Sequence, residues 1–273
     1  MYKIRGAMQK MVKLIASDID GTLLTGEIRE ISEKTIQLIE KLNKEGIVFV
    51  AASGRTYSNL KRLFAPVCDD IMYICENGAL VKYKNETLFK AVFEADVASD
   101  IIDGILKKDN CEVLISGENT SYLIPKEDSF VDHMKNFVKN DVTVVSKFED
   151  IKEPILKISV YNKFGVDDVC DYFDSKWNAV AQCTVSGKCW QDFVPPNVDK
   201  GSALELIQKK YCIESDVTMC FGDNYNDLTM FEKAHFSYAM STAKSEIRAR
   251  ARYVTTSVES ILSDVEKMIN FNL

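Results

Sequence analysis

Strand-like and helix-like segments alternate at both ends of this chain, and that alternation restricts the fold more than any other feature. Apolar segments of strand length lie at 11–16, 47–52 and 72–75 with helical patterns between them, and the alternation returns over 200–270. Strands and helices of these lengths form βαβ units around a parallel sheet. We therefore predict an α/β core with helices on both faces of a parallel sheet.

The middle of the chain has a different pattern. Its helix-like stretches are separated by pairs of strands, and the segments at 117–119 and 186–187 are typical of hairpin turns. Paired strands of this kind indicate an α+β unit on an antiparallel sheet. We therefore predict a core built from residues 1–82 and 194–273, with residues 83–193 inserted as a second domain.

Composition and charge exclude several classes of function. No apolar run approaches the roughly 20 residues that cross a bilayer, and the start lacks the pattern of a secretory signal. We therefore expect no membrane partner and a cytoplasmic location. The net charge of −7 argues against nucleic-acid binding. We expect a monomer or weak homodimer, and we expect residues 1–10 to be a dispensable extension, since Met11 could open the first strand.

The supply of metal ligands points to oxygen chemistry. The chain has two histidines and eight scattered cysteines, none of them in a CxxC pair. A histidine-based zinc site and a Ser-His-Asp triad are therefore nearly excluded. A metal in this chain would be held by oxygen ligands, and the metal that such ligands favour here is Mg²⁺.

Two carboxylates, Asp18 and Asp20, directly follow the first apolar strand. Ligands bind at the carboxyl ends of parallel strands, and two acids crowded there repel each other unless a cation or proton lies between them. The pair indicates either a metal site or a nucleophilic carboxylate beside an acid/base carboxylate. The structural alternative is an acidic turn that only closes the strand, with Gly21 freeing the backbone.

Two further segments carry groups that suit an anionic oxygen. Ser53-Gly54-Arg55 follows the strand at 47–52 and offers a hydroxyl and backbone N–H groups at the start of a helix. The structural alternative is that Ser53 only caps that helix. Lys200 precedes another predicted helix, and its ammonium can neutralise both a phosphate and a carboxylate. Most lysines are simply solvated, so Lys200 alone is weak evidence.

The segment at 222–227 is dense in hard oxygen ligands. It reads Gly-Asp-Asn-Tyr-Asn-Asp and follows the apolar strand at 217–221. Two acids and two amides in six residues are the ligand types that Mg²⁺ prefers. As a structural alternative, Asp227 is also a good N-cap for the helix that follows.

Together these segments resemble the motifs of the haloacid dehalogenase superfamily of phosphohydrolases, in its Cof-type branch with a large α/β cap. Residues 18–24 match the first motif, 53–55 the second, 200–201 the third and 222–227 the fourth, in family order across residues 14–240. The inserted segment falls between the second and third motifs, where this branch carries its C2-type cap. The resemblance implies a Rossmann-like core.

The resemblance implies a Mg²⁺-dependent phosphatase that hydrolyses small phosphorylated metabolites, either sugar phosphates or phosphorylated cofactors, through an aspartyl-phosphate. Asp18 is implied as the nucleophile, Asp20 as the acid that protonates the leaving alcohol and then activates water, and Lys200 as the third catalytic residue. The implied metal ligands are Asp18, the Asp20 backbone carbonyl, Asp223 and Asp227. The implied contacts of the substrate and its phosphate are Gly21, Thr22, Ser53, Gly54, Arg55, Asn77, Lys200 and Asn226.

Three alternatives remain open at this point. A phosphotransferase or phosphomutase uses the same aspartyl-phosphate and differs only in the acceptor. A non-catalytic phospho-acceptor module also places carboxylates and a lysine at strand ends, but such modules are far shorter and lack a cap. Arg55 either contacts the substrate or forms a structural salt bridge.

Overall fold

The computed structural model describes residues 12–271, so the expected extension at 1–10 lies outside the described residues. In chain order the strands are β1 (Leu14–Ser17), β2 (Val48–Ala52), β3 (Met72–Cys75), β4 (Leu80–Tyr83), β5 (Glu86–Lys90), β6 (Glu112–Gly117), β7 (Ser121–Leu123), β8 (Val142–Val144), β9 (Ile155–Tyr161), β10 (Gln182–Gly187), β11 (Trp190–Val194), β12 (Thr218–Gly222), β13 (Phe236–Met240) and β14 (Tyr253–Thr255). The helices are α1 (Glu33–Lys44), α2 (Tyr57–Leu63), α3 (Ala95–Leu106), α4 (Asp128–Asp132, continued by a π-helical turn at His133–Phe137), α5 (Cys170–Trp177), α6 (Lys200–Tyr211), α7 (Leu228–Lys233), α8 (Ser245–Arg248) and α9 (Val258–Phe271).

Eight strands form the first sheet, in the order β14-β13-β12-β1-β2-β3-β4-β5. Neighbouring strands from β14 to β3 run parallel, and β4 and β5 extend the sheet as an antiparallel edge. β1 lies between β12 and β2, and all four of its residues are buried. The predicted α/β architecture with a parallel sheet is confirmed.

Helices cover both faces of this sheet because side chains alternate along each strand. Ile15 of β1 packs into one apolar cluster with Ile39 of α1 and Leu262 of α9. Its neighbour Leu14 packs into the opposite cluster, with Leu204 of α6. The central strand is therefore fixed from both sides, and so is the loop that follows it.

The second sheet has six strands in the order β10-β11-β9-β6-β7-β8, antiparallel except for the parallel pair β7 and β8. It packs on α3 and α5 around its own apolar cluster. Its inner strand β9 is absent from the sequence prediction. β5 belongs to the first sheet, so the chain passes to the second sheet after Lys90. The boundary predicted from the sequence falls earlier, between residues 82 and 83. The division into two domains stays a prediction.

The described helices include none that combines the length and apolar character needed to span a bilayer.

Candidate active site

The predicted segments meet at the carboxyl edge of the first sheet because their strands are neighbours. The register sets Ser17 of β1 beside Ala51 of β2 and Phe221 of β12. Each strand ends within a residue or two of these positions, so the loops that begin at Asp18, Ser53 and Asp223 lie side by side. This edge is where open α/β sheets bind their ligands.

Lys200 lies at the centre of the site and is fully buried. Its Nζ donates to Asp18 Oδ1 at 2.6 Å and to Asp227 Oδ1 at 2.7 Å. Burial alone would lower the pKa of Lys200, but attraction to the two carboxylates outweighs it and raises the pKa above its ordinary value. Lys200 therefore stays charged and ties the loop after β1 to the loop after β12.

The start of α6 fixes the backbone of Lys200. Asp199 caps the helix, since its carboxylate accepts from the Ser202 N–H at 2.7 Å while its own N–H donates to Ser202 Oγ at 2.9 Å. Gly201 permits the close approach of α7, because a Cβ at this position would lie 2.4 Å from the carbonyl oxygen of Thr229. The helix therefore presents Lys200 at one position on the sheet edge.

Asp18 is almost completely buried, and burial raises its pKa well above the ordinary range. Lys200 opposes this rise, while the nearby negative charges of Asp227 and Asp223 add to it. A carboxylate in this setting needs a positive charge close by to stay ionised. Lys200 supplies one such charge, and a bound metal cation would supply a second.

Asp18, Asp223 and Asp227 form an acidic group in which one carboxylate oxygen from each residue lies within 4.8 Å of the other two. Three carboxylates face one ammonium, so the group carries an excess of negative charge. Burial, followed by repulsion from Asp227, raises the pKa of Asp223. A compact set of hard oxygen ligands with surplus negative charge fits Mg²⁺.

Two glycines allow the acidic group to be this compact. Gly21 has φ +89°, and a Cβ there would lie 2.2 Å from Asp223 Oδ2. A Cβ at Gly222 would lie 2.5 Å from Asp227. Thr22 then orients Asp223 by donating from Oγ1 to its Oδ1 at 2.8 Å. The turn after Asp18 is thus shaped around Asp223.

Asp227 is held by protein donors at both oxygens. Besides the Lys200 contact at Oδ1, its Oδ2 accepts from the backbone N–H groups of Asp223 at 2.9 Å and Asn224 at 3.0 Å. Asp227 therefore closes the 222–227 turn and orients Lys200 at the same time.

Asp20 lies apart from the buried acidic group. Its side chain is 58% exposed, and both its oxygens accept from Arg55, at 2.7 Å from Nε and 2.6 Å from Nη2. Arg55 also donates to Asn59 Oδ1 at 2.9 Å. The two roles predicted for Arg55 are contact with the substrate and a structural salt bridge, and in this structure Arg55 forms the salt bridge.

Ser53 is buried and does not cap α2. Thr56 caps that helix instead, with Oγ1 accepting from the Asn59 N–H at 3.3 Å. The Ser53 N–H donates to Ile74 O at 2.8 Å, and Ser53 Oγ accepts from the Arg55 N–H at 3.2 Å. The capping alternative for Ser53 is wrong, because the chain needs three more residues before the helix begins.

Asn77 and Asn226 are brought together, since Asn226 Nδ2 donates to Asn77 Oδ1 at 3.1 Å. Asn77 is buried, and its side chain packs closely on Gly54. A Cβ added to Gly54 would lie 3.1 Å from Asn77 Oδ1. Its Nδ2 donates to Asp192 Oδ2 of β11 at 2.6 Å. Asn77 therefore connects the loops after β2 and β12 to the second sheet.

Sequence reasoning missed three buried charged residues beside this site. They are Glu76, Lys157 of β9 and Asp192 of β11. Lys157 Nζ lies 2.5 Å from Gly54 O, 2.8 Å from Glu76 Oε2 and 3.8 Å from Asp192 Oδ2. One feature of the sequence could have identified Lys157 and Asp192. Each places a charged side chain within an apolar strand, where charged residues are rare.

Known proteins similar to this chain are found by family model, by sequence and by structure. The family model for haloacid dehalogenase-like hydrolases matches residues 15–262. The 5-amino-6-(5-phospho-D-ribitylamino)uracil phosphatase YbjI of Escherichia coli (strain K12) is 27% identical over 267 residues, which cover 94% of this chain and 96% of that protein. The phosphatase YwtE of Bacillus subtilis (strain 168), named for the same substrate, is 25% identical over 271 residues, covering 90% and 93%. The crystal structure of SMU.1108c from Streptococcus mutans UA159 matches with a TM-score of 0.84 at 26% identity, covering 95% of this chain and 99% of that one.

Proposed function

This chain belongs to the haloacid dehalogenase-like hydrolases, as a phosphatase of the Cof-type branch, and on that premise we propose that it hydrolyses small phosphorylated metabolites through an aspartyl-phosphate on Asp18. One observation carries the proposal. The buried Asp18 carboxylate is bound to the Lys200 ammonium, beside Asp223, at the carboxyl edge of the parallel sheet. A nucleophilic carboxylate, a cation for the transferring oxygens and a metal-binding acid are what this reaction needs.

In the first step, an Asp18 oxygen attacks the phosphorus of the ester and the bond from phosphorus to the alcohol oxygen breaks. Asp20 gives its proton to that oxygen, so the alcohol leaves neutral. The Lys200 contact at 2.6 Å restricts rotation of the Asp18 carboxylate, which holds the nucleophile in one orientation as the ester arrives.

In the second step, water attacks the phosphorus of the aspartyl-phosphate and its proton passes to Asp20. The bond to Asp18 then breaks and inorganic phosphate leaves. Asp20 must turn away from Arg55 to do this work, since Arg55 holds both its oxygens in the present arrangement. The exposure of Asp20 gives its side chain room for that turn.

The acidic group supports Mg²⁺ as the cofactor, with Asp18 and Asp223 as the proposed side-chain ligands. The Asp20 backbone carbonyl and Asp227 complete the proposed set, Asp227 through a water because protein donors hold both its oxygens. When bound, the ion neutralises charge on the transferring phosphoryl oxygens.

The proposed phosphate contacts come from Lys200, which contacts Asp18, and from the loops that lie beside it at the sheet edge. Lys200 supplies the charge, Ser53 a hydroxyl, and the loops at 21–22 and 53–55 supply backbone groups. Asn226 and Asn77, joined by their hydrogen bond, lie on the side of the second sheet and are proposed contacts of the substrate. Such preorganised donors stabilise charge that develops in the transition state.

We propose sugar phosphates and phosphorylated cofactors as the substrate class. The relatives YbjI and YwtE are named for 5-amino-6-(5-phospho-D-ribitylamino)uracil, a phosphorylated ribityl compound. This compound and simple sugar phosphates therefore belong in the first panel.

Phosphate release from that panel and from p-nitrophenyl phosphate, with Mg²⁺, tests the proposal. We expect release by the wild-type chain and none above background by Asp18→Asn with its fold retained. Asp168→Asn, at an exposed aspartate in the turn before α5, is the matched control and should retain full activity. Undiminished activity in Asp18→Asn would contradict the nucleophile. Transfer to an added alcohol in preference to water would indicate a phosphotransferase instead.

A further inference from the structure

Residues 76–78 form a strained segment beside the proposed phosphate site. Glu76 has φ 51°, Asn77 φ 54° and Gly78 φ 105°, so three consecutive residues adopt left-handed backbone conformations. Such conformations are uncommon outside glycine, and they persist only where the surroundings fix them. The contacts that fix this segment therefore matter to the loops it touches.

The first sheet supplies one set of contacts. The Glu76 N–H donates to Arg55 O and the Asn77 N–H donates to Ser53 O, both at 3.1 Å. Gly78 packs so closely on the residue before Lys200 that a Cβ would lie 2.2 Å from the Asp199 carbonyl oxygen. The strained segment is thus bonded to the 53–55 loop and packed against the start of α6.

The second sheet supplies the other set, through two neighbouring strands. Lys157 of β9 reaches Gly54 O at 2.5 Å and Glu76 Oε2 at 2.8 Å. Asp192 of β11 accepts from Asn77 Nδ2 at 2.6 Å and from Ser159 Oγ at 2.6 Å. Each of these two buried side chains therefore contacts a loop that borders the proposed phosphate site.

The charges of this cluster favour a fixed arrangement. Burial would lower the pKa of Lys157, but Asp192 and Glu76 attract the ammonium and the pKa is raised above its ordinary value. A buried ammonium with carboxylates on two sides loses much if any partner moves. Lys157, Glu76 and Asp192 are therefore held in one arrangement. Their contacts restrict the movement of Gly54 and Asn77.

We propose that Lys157 and Asp192 are positioning residues for the phosphatase reaction, a role that rests on the proposed function. From the second sheet they hold Gly54 and Asn77, and thereby Ser53 and Asn226, in the geometry that receives the phosphate. Because they act on the phosphate end of the site, their removal impairs turnover of every ester by the same factor, whatever its alcohol.

Paired variants test this role. Lys157→Met alone leaves Glu76 as an uncompensated buried charge and is expected to lose stability. Lys157→Met with Glu76→Gln removes both charges, and Asp192→Asn keeps the shape of its side chain while removing its charge. Lys163→Met, at an exposed lysine in the chain just beyond β9, is the matched control. Circular dichroism and thermal melting establish that each variant is folded.

The measurement is kcat and KM on p-nitrophenyl phosphate and on a sugar phosphate. We expect kcat/KM to fall about 10- to 100-fold in both folded test variants, by the same factor on both esters, with the control unchanged. Unchanged kcat/KM in folded variants would overturn the proposal and leave the cluster a structural one. A loss confined to the sugar phosphate would also overturn it, since the residues would then select the alcohol. Failure of the wild-type chain on every ester would instead contradict the proposed function.

Discussion

At the scale of residues, the arrangement of the acidic side chains depends on Lys200. Asp18 and Asp227 are buried, and both depend on the same ammonium for a counter-charge. Burial raises the pKa of Asp18 well above its ordinary range, and the Lys200 ammonium opposes that rise. The lysine that was weak evidence in isolation is therefore the residue on which the two acidic loops converge.

Replacing Lys200 with methionine tests this dependence. We expect kcat to fall on the order of 10²–10³-fold, as for loss of a preorganised charge, and stability to fall by about 3–5 kcal/mol, as for a broken buried ion pair. Activity assays and denaturant unfolding measure the two effects. Lys209→Met, at an exposed lysine of the same helix, should change neither. A Lys200→Met enzyme with wild-type kcat would show that the ammonium does not serve the reaction.

At the scale of elements, the site depends on the close packing of α6 on α7. Gly201 lies in the first turn of α6, where alanine is normally the better helix former by about 1 kcal/mol. Here the Cβ would lie 2.4 Å from the Thr229 carbonyl oxygen, which belongs to backbone and cannot swing aside. The expected sign of the substitution is therefore reversed.

We expect Gly201→Ala to lower the free energy of unfolding by about 1–3 kcal/mol, as for overpacking. Activity should fall with it, because α6 carries Lys200. Urea unfolding measures the first effect, with Lys209→Ala on the exposed face of α6 as the control for helix propensity. A more stable Gly201→Ala protein would mean that the two helices are not held at this distance.

Local patterns sufficed to predict most elements that carry the site. β1, β2 and β12 are apolar and fully or nearly fully buried, and their polar ends are visible in the sequence. β9 escaped prediction because Lys157 and Ser159 break its apolar run. Both residues are in fact buried, with Lys157 donating to Gly54 in the loop after β2 and Ser159 donating to Asp192 of β11.

Contacts between distant segments could not be predicted in the same way. Asn77 and Asp192 are 115 residues apart, and Lys157 and Gly54 are 103 apart. Their meeting depends on how the second sheet lies on the first, which no local periodicity specifies. The site residues within the first sheet were accessible from the sequence, while their partners on the second sheet were not.

At the scale of the whole molecule, the proposed metal site would couple folding to cation binding. Asp18 and Asp223 come from opposite ends of the chain and converge only in the folded state. A cation that binds them stabilises that state by about 2.7 kcal/mol at a concentration 100 times its Kd. Thermal melting with and without Mg²⁺ measures this stabilisation.

The stabilisation by Mg²⁺ should depend on pH with a definite sign. Burial raises the pKa of both Asp18 and Asp223, so protons compete with the cation as the pH falls. We expect a rise in Tm with Mg²⁺ at about pH 7.5 that shrinks towards about pH 5.5, and no rise in Asp223→Asn. The same ionic strength in NaCl is the control. A rise that Asp223→Asn retains would contradict this metal site.

Trapping the phosphorylated enzyme tests the central claim most directly. With p-nitrophenyl phosphate the leaving group needs no proton, so Asp20→Asn should be phosphorylated yet lose the base that activates water. Intact-mass measurement after acid quench should show one added phosphoryl group, and peptide mapping should locate it on Asp18. The double variant Asp18→Asn with Asp20→Asn should gain none. A phosphoryl group on another residue, or turnover of Asp18→Asn at the wild-type rate, would contradict the account.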